Sequence, residues 1–479
     1  MIWILYLILA FVIVLFGIIL IRTATFKPKS VLKINNDEII FDKDSAIESL
    51  RTLIRFKTVS NHNPTLEDNN EFEGLIAKLP ELYPAVFQKC SFERLPDRAL
   101  LFRWEGKNHN EPAVLMAHYD VVPVDETGWE KPPFEAVLED GVLWGRGALD
   151  TKVTINGVLF AANHLINEGF VPENDIYFAF SGGEEINGKG AVNIVDYFAE
   201  KGITPNLVVD EGGAVVEDVF PGVKGQIGLI GIAEKGMMDV KYTCKSKGGH
   251  ASAPKPHTPI GILSVACCKV ENNPFKAHLT APVAKMFDTL GRHSTFLYRM
   301  IFANLWVFKP VLDMICKKSG GELNALMRTT VAFTQSNGSP APNVIPPEAS
   351  FVSNIRLNPA DSMESALKYL KDTIKDENVE ITALHGMNPS KISKTDCSSW
   401  DKMVSAVADT WKVDKVSPYL MVQCSDSRHY CRICDKIYKF SAMDLTSAER
   451  ATIHGHNERI RVETAERAVE FYIRLMKKC

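Results

Sequence analysis

The segment DIYFAFSGGEEINGKGA, residues 175–191, joins a short apolar run to a glycine-rich acidic turn. The run IYFAF is rich in aromatic and branched residues and is typical of a buried β-strand. Glu184 and Glu185 are neighbouring carboxylates that repel each other, and the glycines beside them contribute no side-chain packing. Because this turn offers the fold little stability, its position after a buried strand predicts a site that uses the two charges.

Short apolar runs like this one recur through residues 45–235, for example AVLMA (113–117) and NLVV (206–209). The stretches between them, such as 151–168 and 189–200, have the length and composition of helices. Alternating strands and helices are typical of an α/β domain with a largely parallel sheet. The sequence therefore predicts an α/β fold for this part of the chain.

The pattern changes at residue 236, where MMDVKYTCKSKGG alternates like a half-exposed strand. Further strand-like and helix-like runs predict a smaller α+β domain over residues 236–385. Helix and strand alternation then returns, so residues 45–235 and 386–479 are predicted to form one larger catalytic domain around the insertion. Residues 23–44 are predicted to be a polar connector.

Composition narrows the function classes. The net charge is −4 and no strongly basic block occurs, which disfavours nucleic acid as a partner. Ten scattered cysteines do not form a disulfide framework, and Cys431 and Cys434 are either ordinary thiols or a CxxC redox pair. The chain has no G-x-S-x-G elbow and no cysteine in a catalytic context, which disfavours a serine or cysteine hydrolase.

The amino terminus predicts a membrane segment. Residues 3–21, WILYLILAFVIVLFGIILI, form a run of 19 residues without a charge. Such a helix is long enough for a hydrocarbon core of about 30 Å. We interpret residues 1–22 as a single-pass anchor, with a cleaved signal peptide as the alternative. Arg22, Lys27 and Lys29 follow the span and would keep the following domain in the cytoplasm.

Groups that can ligate a metal follow several of the apolar runs. In parallel α/β sheets, such strand ends meet in one crevice. HGHNE (454–458) adds a further candidate near the other end of the chain. The groups at the strand ends are His118, Asp120, Asp150, Glu184, Glu185, Asp210 and Glu211.

So many carboxylates in one crevice would repel each other unless a divalent metal lay between them. Mixed histidine and carboxylate donors suit zinc with an open, catalytic coordination position. One of Glu184 and Glu185 could then bind the metal while the other takes a proton from water. Asp120 could fix the ring of His118. Taken singly, each group is more readily interpreted as a surface or capping carboxylate, but the position of all of them at strand ends favours a site.

Six motifs resemble one known family, in the same order along residues 45–479: MAHYDVVPV, WGRGALDTK, SGGEEINGKGA, VVDEGGAV, KGGHASAP and IHGHNERI. The chain resembles the aminoacylase, carboxypeptidase S and glutamate carboxypeptidase family of dinuclear zinc hydrolases. It is most similar to the carboxypeptidase S branch, which includes N-fatty-acyl-amino-acid hydrolases.

The resemblance implies a zinc-exopeptidase-like α/β fold with helices on both faces of the sheet and an inserted α+β lid or dimerisation domain. It implies cleavage of the amide bond of peptides or N-acyl amino acids with a free C-terminal carboxylate. A membrane-tethered, catalytically inactive binding relative is the alternative. Related secreted and vacuolar enzymes favour an extracytoplasmic catalytic domain, against the charges that flank the anchor, so the membrane side stays open.

The resemblance also implies roles for individual residues around two Zn²⁺ ions per subunit. His118 would bind one ion, Asp150 would bridge both and Glu185 would bind the other. Glu184 would be the general base, and Asp120 would orient His118. The remaining implied ligands are Glu211, with Asp210 as the alternative, and His454 in preference to His456.

In this family the inserted domain carries the dimer contact and lends a histidine to the partner's site. His250 would play that part in a homodimer and stabilise the oxyanion. Asn343 would polarise the substrate, and Arg356 would bind its carboxylate. Cys424 and Ser425 stand where the family commonly has glycine and threonine. The apolar stretch 296–315 is either a core helix of the inserted domain or an apolar cover or membrane contact that favours N-acyl substrates.

Overall fold

The computed structural model describes residues 2–29 and 32–479. Met1 of the predicted anchor and residues 30 and 31 of the predicted connector lie outside the described residues. The helices are α1 (Ile2–Thr25), α2 (Lys43–Ile54), α3 (Asn69–Leu82), α4 (Pro84–Lys89), α5 (Lys152–Asn167), α6 (Gly190–Glu200), α7 (Pro259–Asn272), α8 (Ala281–Gly291), α9 (Phe296–Ala303), α10 (Leu305–Ser319), α11 (Gly321–Met327), α12 (Met363–Ile374), α13 (Ser398–Trp411), α14 (Ser447–Arg450) and α15 (Val462–Met476).

The strands are β1 (Ser91–Leu95), β2 (Ala99–Trp104), β3 (Asn108–His118), β4 (Val137–Glu139), β5 (Val142–Trp144), β6 (Asn174–Ser181), β7 (Leu207–Glu217), β8 (Gln226–Glu234), β9 (Gly236–Lys245), β10 (Gly249–His250), β11 (Thr330–Asn337), β12 (Val344–Ile345), β13 (Glu348–Leu357), β14 (Glu380–Met387), β15 (Val416–Met421), β16 (Ile437–Leu445) and β17 (Arg459–Arg461).

An eight-stranded sheet forms the centre of the larger domain, with strand order β1-β2-β6-β3-β7-β16-β8-β15. Its middle pairs β6–β3, β3–β7 and β7–β16 are parallel, and β1 and β2 join one edge in antiparallel fashion. The run IYFAF forms most of β6, and the predicted α/β fold is confirmed.

Helices cover both faces of this sheet. Side chains on β3 alternate between the two sides: Leu115 packs in the core under α5 and α15, whereas Val114 and Met116 pack in the core under α6. On the first face, Gly157 of α5 lies against the ring of Tyr472, because a Cβ there would come within 3.0 Å of it. Both faces are therefore buried, as the continuous apolar strands require.

The smaller domain is an antiparallel sheet of four strands, in the order β11-β13-β9-β14, covered by α7 and α12. Its own core includes Val240, Tyr242 and Ile355, which the strand alternation of β9 and β13 turns to one side. The predicted α+β character of the insertion is thus confirmed.

The hydrophobic cores divide the chain differently from the predicted range 236–385. Residues 281–327, which form α8 to α11, leave the small domain and pack on the larger core through Phe287, Leu290 and Phe302. The apolar stretch 296–315 therefore has its buried residues in the larger core and not in the core of the insertion. The sequence of this stretch is apolar enough for either core, so it does not indicate which of the two cores the stretch joins.

Helix α1 is the one helix among the described residues that is long and apolar enough to cross a membrane. Most of it is exposed, but its last turns pack on the α9–α10 corner. There Arg22 donates to the carbonyl of Ala303, and the Asn304 side chain donates to the carbonyl of Ile19 at 3.3 Å. The end of this helix is therefore fixed to the larger domain.

Candidate metal centre

Five of the predicted ligands converge at the carboxyl edge of the large sheet. His118 ends β3, Glu185 lies in the tight turn after β6, and Glu211 lies within β7. Asp150 precedes α5, and His454 lies between α14 and β17. The short sheet β17-β5-β4 ties the loop that carries His454 to the segment before Asp150.

Two overlapping groups have the spacing of metal ligands. Donor atoms of His118, Asp150 and Glu185 lie within 4.8 Å of one another, and so do those of His118, Glu184 and Glu211. The His118 Nε2 atom is 2.9 Å from Asp150 Oδ1 and 3.6 Å from Glu211 Oε2. Glu184 and Glu185 therefore each belong to one of the two groups, and both groups include His118.

Asp150 stands between the two histidines. Its Oδ1 faces His118, and its Oδ2 is 3.1 Å from His454 Nε2. The same His454 atom is 3.1 Å from Glu185 Oε2. The ring of His456 lies instead against Gly128, where an added Cβ would approach it to 2.6 Å. The geometry therefore favours His454 over His456.

Neighbouring Asp210 and Glu211 face different surroundings, as alternate residues of a strand do. The carboxylate of Glu211 faces His118, whereas Asp210 Oδ2 accepts the backbone N–H of Ser427 at 2.9 Å. In the same loop, Asp426 accepts the Ser181 hydroxyl at 2.6 Å, and burial raises the pKa of Asp426 to about 7. Asp210 thus holds the loop behind the centre, and Glu211 is the one that joins the donor group.

Asp120 fixes the acidic turn as well as the histidine. Its carboxylate accepts the backbone N–H groups of Glu184 and Glu185, each at 3.1 Å, and the Ser60 hydroxyl at 2.7 Å. The far ring nitrogen of His118 is 3.0 Å from the Asp120 carbonyl and 3.4 Å from its carboxylate. The backbone oxygen is thus the nearer partner of the ring.

Glu458 is a residue of this site whose part the sequence interpretation missed. Its buried carboxylate accepts the backbone N–H groups of Gly147, Leu149 and Asp150 and pairs with Arg146 at 2.7 Å. It therefore clamps the loop that presents Asp150. Its place in HGHNE, four residues after His454, was the available signal.

The pKa values of the cluster respond to its excess of carboxylates. Burial would lower the pKa of His118, but Glu211, Asp120 and Asp150 raise it well above its usual value. Bonds to Asp150 and Glu185 raise the pKa of His454 to about 10. On its own, the cluster therefore binds protons to gain positive charge.

The pKa values of two glutamates in the cluster are also raised. Burial, and then the charge of Glu211, raise the pKa of Glu184, while burial and the charge of Asp150 raise that of Glu211. A divalent cation would supply the positive charge that these protons provide. Imidazole and carboxylate are donors that catalytic zinc accepts, so the donor set fits a metal centre.

These residues line one side of a cavity of about 640 Å³. The other walls are largely apolar and include Leu229, Met421 and Leu445. Cys424 also lines the cavity, and Arg356 Nη1 lies 3.5 Å from its Sγ atom. Arg356 is therefore next to the cavity rim.

The structure does not bring His250 and Asn343 to the metal ligands of the same subunit. His250 ends β10 and Asn343 directly precedes β12, so both lie at one end of the exposed ribbon that these two strands form. There the Ala251 N–H donates to the Asn343 carbonyl at 2.9 Å. Neither belongs to the described residues that line the cavity. Cys431 and Cys434 are free thiols, and burial raises the pKa of Cys434 to about 11.

Comparisons with known proteins identify the family of this chain. The sequence profile of Peptidase family M20/M25/M40 matches residues 114–478. The chain is 36% identical over 482 residues to the N-fatty-acyl-amino acid synthase/hydrolase PM20D1 of Xenopus tropicalis, covering 97% of this chain and 93% of that one. It is 32% identical over 472 residues to the probable carboxypeptidase S-like 2 of Dictyostelium discoideum, covering 95% and 90%.

A solved structure shows the same fold. The M20 family metallo-carboxypeptidase Sso-CP2 of Sulfolobus solfataricus superposes with a TM-score of 0.67 at 18% identity, covering 90% of this chain and 98% of that one. The family profile spans most of the chain, and the predicted family resemblance is confirmed. The chain belongs to peptidase family M20/M25/M40, a family of metal-dependent hydrolases.

Proposed function

We propose that this protein hydrolyses the amide bond of N-acyl amino acids or peptides that end in a free carboxylate, with two zinc ions per subunit. The observation that carries the proposal is the position of Asp150, whose two oxygens face His118 and His454. A carboxylate placed in this way suits a bridge between two ions.

The ions would be held by His118, Asp150, Glu185, Glu211 and His454. When bound, zinc supplies Lewis acidity for the amide carbonyl and lowers the pKa of water. The chain contributes the rigid frame, since Asp120 holds the glutamate turn and Glu458 holds the loop of Asp150.

Glu184 would act as the general base and acid. Its carboxylate accepts a proton from the attacking water and then passes the proton to the leaving amine. Its place on the cavity wall supports this role, as does the restraint of its backbone N–H by Asp120. Glu185, the next residue, faces His454 and is therefore the better ligand.

Residues of the smaller domain would complete the substrate site. Arg356 near the rim would bind the free carboxylate through its planar guanidinium. His250 and Asn343 would polarise the amide carbonyl from the partner subunit of a homodimer. Their exposed ribbon supports a role that needs a second subunit.

The substrate class follows from the apolar cavity walls and from the relatives. The matched Xenopus tropicalis protein is named for N-fatty-acyl-amino acids, and the Dictyostelium discoideum protein is named as a probable carboxypeptidase S-like protein. We therefore favour N-acyl amino acids with apolar acyl groups over polar dipeptides. Helix α1 would anchor the enzyme in a membrane, with the catalytic domain on the extracytoplasmic side.

The test is a turnover screen of the purified full chain with N-acyl amino acids and dipeptides, with metal content measured in the same samples. We expect amide hydrolysis that a chelator removes and that zinc restores, and faster turnover of apolar N-acyl substrates than of polar dipeptides. Full turnover in metal-free protein would contradict the metal-dependent mechanism. A zinc-loaded protein without turnover of any substrate would instead support the inactive relative.

A further inference from the structure

We call the cavity of about 640 Å³ that Asp150, Glu185 and His454 line the metal cavity. A second, smaller cavity of about 150 Å³ lies beside it. Phe220 and the helix residues Met286, Leu290 and Leu326 form most of its wall. The one charged residue of its lining is Glu322, whose side chain is 46% exposed and accepts the Tyr419 hydroxyl at 3.4 Å. The surroundings of this cavity are therefore suited to hydrocarbon and not to a charged group.

The two cavities meet at shared side chains. Leu229, Glu322 and Tyr419 line both of them. Asp150, Glu184, Glu185, Glu211 and His454 line the larger cavity together with Leu229. A group held among these side chains could therefore extend past Leu229 into the smaller cavity. We call the smaller cavity the apolar branch.

The apolar branch also approaches the surface. It shares Val219, Phe220 and Pro221 with an open groove of about 370 Å³ that reaches Thr295 and Tyr298 at the start of α9. The exposed residues Phe296 and Leu297 adjoin the mouth of this groove, and the other end of α9 packs on α1. Shared lining residues thus join three neighbouring cavities, from the predicted ligands to the face of the enzyme that carries the proposed anchor.

We propose that the apolar branch holds the hydrocarbon chain of an N-acyl amino acid while its amide lies among the metal ligands; this inference rests on the proposed function. An apolar amino acid side chain would be accommodated by the metal cavity alone. A long acyl chain uses the continuation past Leu229 and Phe220, and its end points toward the groove at α9. The chain therefore enters from the anchored face, where amphiphiles gather in a membrane.

Chain-length dependence tests the proposal in the zinc-loaded full chain. N-acetyl, N-hexanoyl, N-lauroyl and N-palmitoyl derivatives of one amino acid are compared below their micelle concentrations. We expect kcat/KM to rise roughly fourfold for each methylene that becomes buried, until the branch is filled. A profile that does not change with chain length would overturn the proposal.

A cavity-filling variant locates the effect. Leu323 is half-buried and lines the apolar branch, so Leu323→Trp should lower the ratio of palmitoyl to acetyl kcat/KM by at least about tenfold. The matched control is Val331→Trp, since Val331 is also half-buried and lines a cavity of about 130 Å³ elsewhere. If the ratio of palmitoyl to acetyl kcat/KM is equal in the two variants and in the unaltered protein, the apolar branch does not hold the acyl chain. The proposed amide hydrolysis would be unaffected by that result.

A second measurement uses the unaltered protein, so that a folding defect in the variant cannot decide the matter. An N-acyl amino acid with a diazirine at the chain end is photolysed on the enzyme, and labelled peptides are mapped. We expect label at residues 219–222, 286–290, 323–326 or 295–298. Label confined to the metal cavity or to the smaller domain would overturn the proposal. Hydrolysis of dipeptides without turnover of any N-acyl amino acid would overturn both this proposal and the preferred substrate class.

Discussion

The acidic edge of the large sheet and the ribbon that carries His250 differ in how firmly they are held. At the sheet edge, Asp120 and Glu458 are buried, and each accepts several backbone N–H groups from the loops that carry predicted ligands. The ribbon of β10 and β12 has two residues per strand, and its two β10 residues are exposed. The predicted ligands of the first region are held within one subunit, whereas the role proposed for the second region needs another subunit to meet it.

The largest effect should come from Glu184→Gln at the sheet edge. We expect turnover to fall by about 10²- to 10⁴-fold with metal content unchanged, because the amide cannot take the proton of the attacking water. Glu200→Gln, on an exposed position of α6, is the control and should retain activity. Loss of metal from Glu184→Gln would make Glu184 a ligand, and near-normal turnover would exclude it as the base.

Glu458→Gln tests how much the sheet edge depends on the buried carboxylate that holds the loop of Asp150. Removing the charge leaves Arg146 buried without its partner, so the free energy of unfolding should fall by about 3–5 kcal/mol. Glu463→Gln breaks the exposed pair with Arg467 and should cost less than about 0.5 kcal/mol. Chemical denaturation of both variants measures the difference. Equal stability would show that Glu458 does not hold the loop.

His250→Ala tests whether the exposed ribbon acts across subunits. We expect turnover to fall by about 10²- to 10³-fold, as for loss of an oxyanion donor. His385→Ala, at an exposed position of the same domain, should have little effect. A 1:1 mixture of His250→Ala and Glu184→Gln subunits should recover up to roughly a quarter of the normal activity, because about half of the dimers are hybrids and each hybrid has one intact site. A mixture that stays inactive would contradict action on the partner's site.

Asp120→Asn should have the smallest effect of the four. The amide can accept fewer of the N–H bonds that fix Glu184 and Glu185, so metal affinity or turnover should fall by about 10- to 100-fold. Ser60→Ala removes one further bond to the same carboxylate and should have a smaller effect. Zinc titration with a competing chelator measures both variants. A larger effect for Ser60→Ala would show that the Asp120 carboxylate is not the main restraint on Glu184 and Glu185.

The same contrast explains what the sequence could predict. The ligands follow apolar runs such as IYFAF, and parallel strands bring their ends together whatever the details of packing. The convergence of His118, Asp150 and Glu185 could therefore be predicted from local pattern and topology. The different surroundings of Asp210 and Glu211 could not be predicted, because they depend on which carboxylate accepts the Ser427 N–H.

Other features depend on contacts that no local pattern encodes. Residues 281–327 are as apolar as a core helix of either domain, so their packing on the larger core was not visible in the sequence. Glu458 looked like an ordinary acidic residue, because the N–H groups that it accepts lie 308 or more positions earlier in the chain. The role proposed for His250 needs a second subunit, whose position one chain does not specify.

The position of Asp150 between His118 and His454 has a consequence for how the proposed pair of ions would assemble. Orienting one oxygen of a carboxylate toward a first ion also orients the other oxygen, so the entropy of ordering this side chain is lost only once. The second ion would then meet a site that is already arranged. The first ion should accordingly favour binding of the second.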